Sequence, residues 1–256
     1  MRDSALQPTL AAPAEATETV RLLGFPCAGG SASSFAGWTA ELPSTVELRP
    51  VRLPGRLDRL HEPPFTSMAP LVETLADELE PTLTSPFAMF GHSMGALVAY
   101  ELARELRRRG ARRPAGLFVA SCGAPHLPRR APPLRALPDD RFISELRRLD
   151  GIPEELARSD ELLELVLPAL RADIVLCEEY AWAPEPPLDV PISVFGGASD
   201  PRVLADDLTA WHDHTEAAFV QRTVAGNHFF PWRSGEALVN AMADDLRGWT
   251  AEGRLS

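Results

Sequence analysis

Lysine is absent: all 25 basic side chains of the 256-residue chain are arginine, a bias of coding more than of function. Its absence removes the phosphate-cradling P-loop, which needs a lysine at fixed spacing from its glycines. Against the arginines stand 36 Asp and Glu, for a formal charge of −11. Nucleic acid is thereby excluded as a partner, because binding a polyanion requires a basic surface to displace its counterions. Cysteine is scarce as well. Cys27, Cys122 and Cys177 are too few and scattered for a disulfide framework or a zinc ribbon, and fit a reducing cytoplasm. No apolar run approaches the roughly 20 residues of a membrane span. Residues 1–17, rich in Ala, Pro, Thr and Glu, lack the apolar stretch of a secretion signal and read as a flexible tail. The expectation is a soluble, cytoplasmic protein with no membrane partner, and a monomer by default.

What the sequence does have is 45% hydrophobic residues, enough for a sizeable core. Short apolar runs alternate with amphipathic stretches, which predicts an α/β fold: a mainly parallel central sheet flanked by helices, in one domain over residues 18–256. Strands are expected at Val20–Pro26, Val46–Leu53, Pro86–His92, Gly116–Cys122, Pro191–Gly197 and Phe219–Gly226. Helices are expected at Met68–Leu83, Met94–Arg109, Ala205–His214 and Gly235–Ala251. One interval breaks the alternation. Between Cys122 and Pro191 two helical patterns, DDRFISELRRLDGIPEEL and SDELLELVLPALRADIVLCEEYAW, take the place of a single crossover, with Asp139 or Asp140 and Ser159 or Asp160 as N-caps. This predicts a helical lid insertion over residues 136–184.

Gly91-His92-Ser93-Met94-Gly95 matches the G-x-S-x-G nucleophile elbow. Its context agrees, with an apolar strand before it and a helix carrying Leu97, Val98, Leu102 and Leu106 after it. Flanking glycines leave room for a strained turn, and the helix points its first amides at the space above Ser93. A serine hydroxyl needs a base and an acid to orient that base. In this architecture they follow in the order acid, then histidine. His228 follows the last strand in VAGNHFF, whereas His212 and His214 lie in a polar helix and read as solvated. Asp200 follows the strand PISVFGG directly, whereas Asp206 and Asp207 read as first-turn helix acids. The loop Pro26-Cys27-Ala28-Gly29-Gly30 offers a second oxyanion donor, so the expected donors are the backbone amides of Ala28 and Met94. Cys27, without a His or Arg near it in sequence, reads as a wall residue. All four loops follow strands, so a parallel sheet gathers them on one edge.

Taken together, FPCAGGSASSF, LPGR with EPPFTS, GHSMGALVAYELA, LRADIVLCEEY, GGASDP and GNHFF resemble the discrete type II thioesterases of polyketide and nonribosomal peptide synthesis, within the α/β-hydrolase superfamily. The resemblance spans nearly the whole chain. It implies an α/β-hydrolase fold with Ser93 as nucleophile, His228 as base, Asp200 as orienting acid, and Ala28 and Met94 as oxyanion donors. It also implies acyl carrier or peptidyl carrier domains as partners, a substrate borne on their phosphopantetheine arm, editing of stalled acyl units in trans, and no metal or bound cofactor. One departure is Cys27, where relatives often carry a larger aromatic or His, which bears on wall shape and acyl preference.

Further expectations concern docking and the lid. Arg107, Arg108, Arg109, Arg112 and Arg113 fall at the far end of their helix and read as a solvated terminal turn. Arg129, Arg130 and Arg135, with Arg56 and Arg59, fall on the correct edge to receive a carrier. Within the lid, Leu162, Leu163, Leu165, Val166, Leu167, Leu170, Ile174 and Leu176 exceed what a small helix pair buries, so some are expected to line an acyl channel beneath a mobile cap. A general carboxylesterase or acyltransferase on the same scaffold, and a non-catalytic carrier-binding protein, are the other readings the sequence allows.

Overall fold

Each of the six apolar runs pairs with its neighbours in one sheet: β1 (Val20–Phe25), β2 (Val46–Pro50), β3 (Phe87–His92), β4 (Leu117–Ala120), β5 (Ile192–Gly197) and β6 (Phe219–Val224). The order is β2-β1-β3-β4-β5-β6 and every pairing is parallel. This computed structural model describes residues 19–130, 132–148, 152, 159–233 and 235–251; the expected tail over 1–17 and part of the expected lid lie outside them.

The apolar strands are continuous rather than alternating because both sheet faces are covered. On β3, Phe87 and Met89 join one core with α1 (Met68–Leu79) and α2 (Met94–Arg108), while Ala88 and Phe90 join the other with α7 (Gly235–Ala251). The two-residue period repeats on β4, where Leu117 and Val119 face the first core and Phe118 and Ala120 the second. Each such large apolar side chain, wholly removed from water, contributes about 1.5–3 kcal/mol. Between β5 and β6 lies α5 (Ala205–Thr209), continued by a 3-10 turn over Ala210–His214; α6 (Phe230–Arg233) follows β6.

The insertion contains α3 (Asp139–Arg148) and α4 (Asp160–Glu179), as the periodicity predicts. Ser159 caps α4, its side chain accepting from the Leu162 amide, whereas Asp139 and Asp140 lie inside the first turn of α3. The two helices share a small core of their own, built on Leu134, Phe142, Leu146, Ile152, Leu163, Leu170 and Ile174. Beyond α4 the chain returns along α2. Arg107 donates to the carbonyls of Pro186 and Pro187, and Glu185 pairs with Arg104, Arg107 and Arg108. The expected solvated turn is therefore only partly present: Arg107 and Arg108 staple the return segment and Arg109 pairs with Glu105 and Asp77, while Arg112 and Arg113 are exposed as expected.

Candidate active site

β1 leads to β2 in one direction and β3 leads to β4, β5 and β6 in the other, so the strand order reverses between β1 and β3. Ligands of open parallel sheets bind outside the carboxyl ends of strands at such a reversal. Ser93 stands there, between β3 and α2, with φ 55° and ψ −114°. Such a backbone is costly for any residue with a Cβ, and persists because its surroundings over-determine it. The Ser93 amide donates to the Ala120 carbonyl at 2.8 Å. Gly91 and Gly95 are what allow the turn: a Cβ on Gly91 would overlap Gly95 and Ala96, and one on Gly95 would overlap the Phe25 carbonyl at the end of β1.

The loops after β5 and β6 bond to each other through Ala198 N–H to Val224 O at 2.8 Å and Ser199 N–H to Gly226 O at 2.9 Å. This brings Asp200 and His228 together. His228 Nδ1 lies 2.8 Å from Asp200 Oδ2, with both residues buried, and Asp200 Oδ1 accepts from the Arg202 amide at 2.9 Å. Burial alone would raise the Asp200 carboxyl, but the His228 hydrogen bond and charge and the Arg202 amide outweigh it and hold it below the ordinary value. An ionised Asp200 makes Nδ1 the donor and leaves Nε2 with the lone pair that can take a proton.

His228 is in turn fixed at the elbow. Its backbone carbonyl accepts from His92 Nε2 at 2.8 Å and from Ser121 Oγ at 3.0 Å. Burial and the neighbouring His228 push His92 down to about 3, so it is neutral, with its proton on Nε2. Neither His92 nor Ser121 carries a signal that sequence reasoning used: His92 occupies a free position of the G-x-S-x-G pattern, and Ser121 belongs to none.

In the loop after β1, the Gly30 amide bonds to the Cys27 carbonyl at 2.9 Å, closing a turn with Gly29 at φ 70°. That is the third position of a type II turn, where glycine is favoured. The Gly29 amide is taken by Asp173 Oδ2 at 2.7 Å. By contrast, among the described residues the amides of Ala28 and Met94 have no intramolecular acceptor. Burial, with the Asp173 charge, pushes the Cys27 thiol up to about 12, which fits a wall residue and not a thiolate.

Several expectations are corrected. Arg56 is no docking residue: it is 8% exposed and engages Asp173 with two guanidinium nitrogens, at 2.8 and 3.0 Å. Arg59 is committed to Glu62 and Glu78. His214 is not solvated but 3% exposed, between Tyr100 Oη at 2.8 Å and His126 Nδ1 at 2.7 Å; His212 is exposed, as expected. Asp207 is the first-turn helix acid expected, accepting from the Leu204 amide at 3.0 Å. In the lid, Leu163, Leu170 and Ile174 pack inward, while Leu162 and Leu165 are exposed. A cavity of about 420 Å³ between α1, α2 and the end of α4 is lined by none of Ser93, Asp200 or His228. Among the described residues no group of three or more His, Cys, Asp or Glu is placed to hold a metal, and no helix is long and apolar enough to cross a membrane.

Comparison with known proteins bears on the same site. Linear gramicidin dehydrogenase LgrE of Brevibacillus parabrevis is 39% identical over 247 residues, covering 95% of this chain and 92% of its own. The dinucleotide fingerprint G-x-G-x-x-G, however, follows no strand here. The structure of RedJ, a thioesterase from the prodiginine biosynthetic pathway in Streptomyces coelicolor, superposes with a TM-score of 0.82 at 42% identity, covering 93% of this chain and 96% of its own. That of YbtT, a type II thioesterase from the yersiniabactin NRPS/PKS pathway, has a TM-score of 0.81 at 34% identity, covering 93% and 97%. These neighbours share the α/β-hydrolase fold. The Thioesterase domain family matches residues 20–246, spanning all six strands and both loops that unite Asp200 with His228, and this chain belongs to it as a hydrolase of thioesters.

Proposed function

We propose that this protein is a discrete type II thioesterase of polyketide or nonribosomal peptide synthesis. It acts in trans, as a cytoplasmic monomer, to remove stalled or aberrant acyl units from the phosphopantetheine arm of acyl or peptidyl carrier domains. The observation that carries the reading is the double tether of His228, by Asp200 at its ring and at its carbonyl by His92, the residue directly before the strained Ser93. The relatives supply the substrate class, since RedJ and YbtT belong to such pathways.

In this reading His228 Nε2 takes the Ser93 proton as Oγ attacks the thioester carbonyl. The amides of Ala28 and Met94 stabilise the oxyanion, each worth roughly 3–4 kcal/mol. The carrier thiolate leaves with the proton from His228, and water activated by the same ring hydrolyses the acyl-serine. The thiol arm arrives with the substrate, and neither step calls for a metal or a bound cofactor. Arg129, Arg130 and Arg135, on the loop after β4, stay exposed although they also meet the Cys177 carbonyl, Asp207 and Glu178, and are the residues we assign to receiving an acidic carrier; the insertion is its lid.

A panel of acyl-carrier proteins, acyl-N-acetylcysteamine thioesters and oxygen esters tests this, with free acid and free thiol both followed. Hydrolysis of short acyl-carriers that Ser93→Ala abolishes is the expected result. Preference for oxygen esters, or binding without turnover, would overturn it in favour of an esterase or a silent carrier-binding protein.

A further inference from the structure

Asp173 lies on α4, within the insertion, yet its carboxylate reaches the turn after β1. Oδ2 accepts from the Gly29 amide at 2.7 Å, and both oxygens accept from Arg56, at 3.0 and 2.8 Å. Arg56 also donates to the Gly30 carbonyl at 2.9 Å, so one ion pair grips the turn at an amide and a carbonyl. Leu170, on the preceding helical turn, closes over the same place: a Cβ on Gly29 would stand 2.9 Å from its Cδ1. Ala28 itself packs against the core of the insertion.

The pair is poorly explained by stability alone. Both partners are buried, Asp173 at 3% and Arg56 at 8% exposure, and burial works to raise the Asp173 carboxyl against the pull of Arg56 and Gly29. Buried ion pairs are commonly matched in stability by apolar residues of similar volume. An apolar pair would, however, leave the Gly29 amide without an acceptor. With Gly29 and Gly30 amides both committed to the protein, Ala28 is the neighbouring amide left for a ligand.

We propose that Asp173 is a positioning residue for thioester hydrolysis: by holding the Gly29 amide it fixes the turn that presents the Ala28 donor, so the oxyanion site is complete only when the inserted helix is seated. The inference rests on the assignment of Ala28 proposed above.

The test compares two double variants that both remove the buried charges and differ in whether residue 173 can accept from Gly29. These are Arg56→Met/Asp173→Asn and Arg56→Met/Asp173→Leu. The readouts are kcat and KM on a short acyl-N-acetylcysteamine, melting temperature, and the affinity of butylboronic acid, which forms a tetrahedral adduct with an active serine. Because losing an oxyanion donor costs about 100-fold or more, a misplaced one should cost about 30-fold. The leucine variant is expected to lose that factor in kcat and in boronate affinity alike, with KM and melting temperature little changed. The asparagine variant should stay within about threefold of the wild type on the same scale. Equal boronate affinity in the two variants would overturn the inference. Should the leucine variant not fold, Arg56→Met/Asp173→Ala carries the same comparison. A wild type that neither hydrolyses the thioester nor binds the boronate would instead sink the functional reading beneath it.

Discussion

His92 Nε2 donates to the backbone carbonyl of His228 at 2.8 Å, so the residue before the proposed nucleophile, Ser93, holds the residue proposed as its base. The bond spans 136 positions of sequence and joins the end of β3 to the loop after β6. His92→Phe keeps an aromatic ring, somewhat larger, and deletes the donor, leaving Ser121 as the other side chain on that carbonyl. Proximity effects make small misplacements expensive, so kcat on a short acyl thioester should fall by about tenfold or more with KM little changed. His92→Gln, whose amide can donate at similar reach, should recover part of it. A full-rate His92→Phe enzyme would show that Asp200 alone orients the base. Because His92 is pushed down to about 3, its protonation should not enter the pH–rate profile near neutrality.

Much of this arrangement was legible in the sequence. β3 and β4 read as strands because both faces are apolar, and Ser93, Asp200 and His228 were singled out because each follows a strand; the structure does bring Asp200 and His228 together. What escaped was long-range pairing. Asp173 and Arg56 are 117 positions apart, and no local pattern says that a carboxylate in the insertion will meet the guanidinium of LPGR. Arg56, read as a free surface charge, is consumed by that meeting. His214 escaped for a different reason. AWHDHTEA looks polar, but the segment Ala210–His214 is a 3-10 helix, in which positions three apart eclipse. Trp211 and His214 therefore share the buried side, while His212 faces out.

Strain at Ser93 gives a stability prediction independent of catalysis. Ser93 has φ 55° and ψ −114°, a region that costs a non-glycine residue about 1–3 kcal/mol. Ser93→Ala removes the hydroxyl and keeps the strain. Ser93→Gly removes both, offset by up to about 1 kcal/mol of extra chain entropy in the unfolded state. In a protein of this size the glycine variant should melt about 2–4 °C above the alanine variant, by calorimetry at neutral pH. An alanine variant of equal or higher melting temperature would mean that no strain is stored at this residue. Gly95→Ala should behave oppositely, failing to accumulate as folded protein, because its Cβ would overlap the Phe25 carbonyl, a backbone atom that cannot rotate away.

The cluster of buried Tyr100 and His214 with half-buried His126 predicts how stability varies with pH. Burial, then the adjacent His126, pushes His214 down to about 4, with Arg104 acting in the same direction and Asp213 against it. Tyr100 and His126 occupy its two ring nitrogens, and Trp182 and Trp211 pack against the ring. In the unfolded chain a histidine binds its proton near pH 6.5, so between about 6.5 and 4 the unfolded state holds more protons than the folded one. Stability from keeping His214 neutral is therefore complete above that window and is lost as the pH falls through it. His92, pushed down to about 3, adds a loss of the same sign. The melting temperature should accordingly drop between pH 7.5 and pH 5. His214→Gln, which keeps polar groups for Tyr100 and His126, should melt lower at pH 7.5 but show a smaller drop on acidification. A drop as large as that of the wild type would assign the acid sensitivity to groups other than His214.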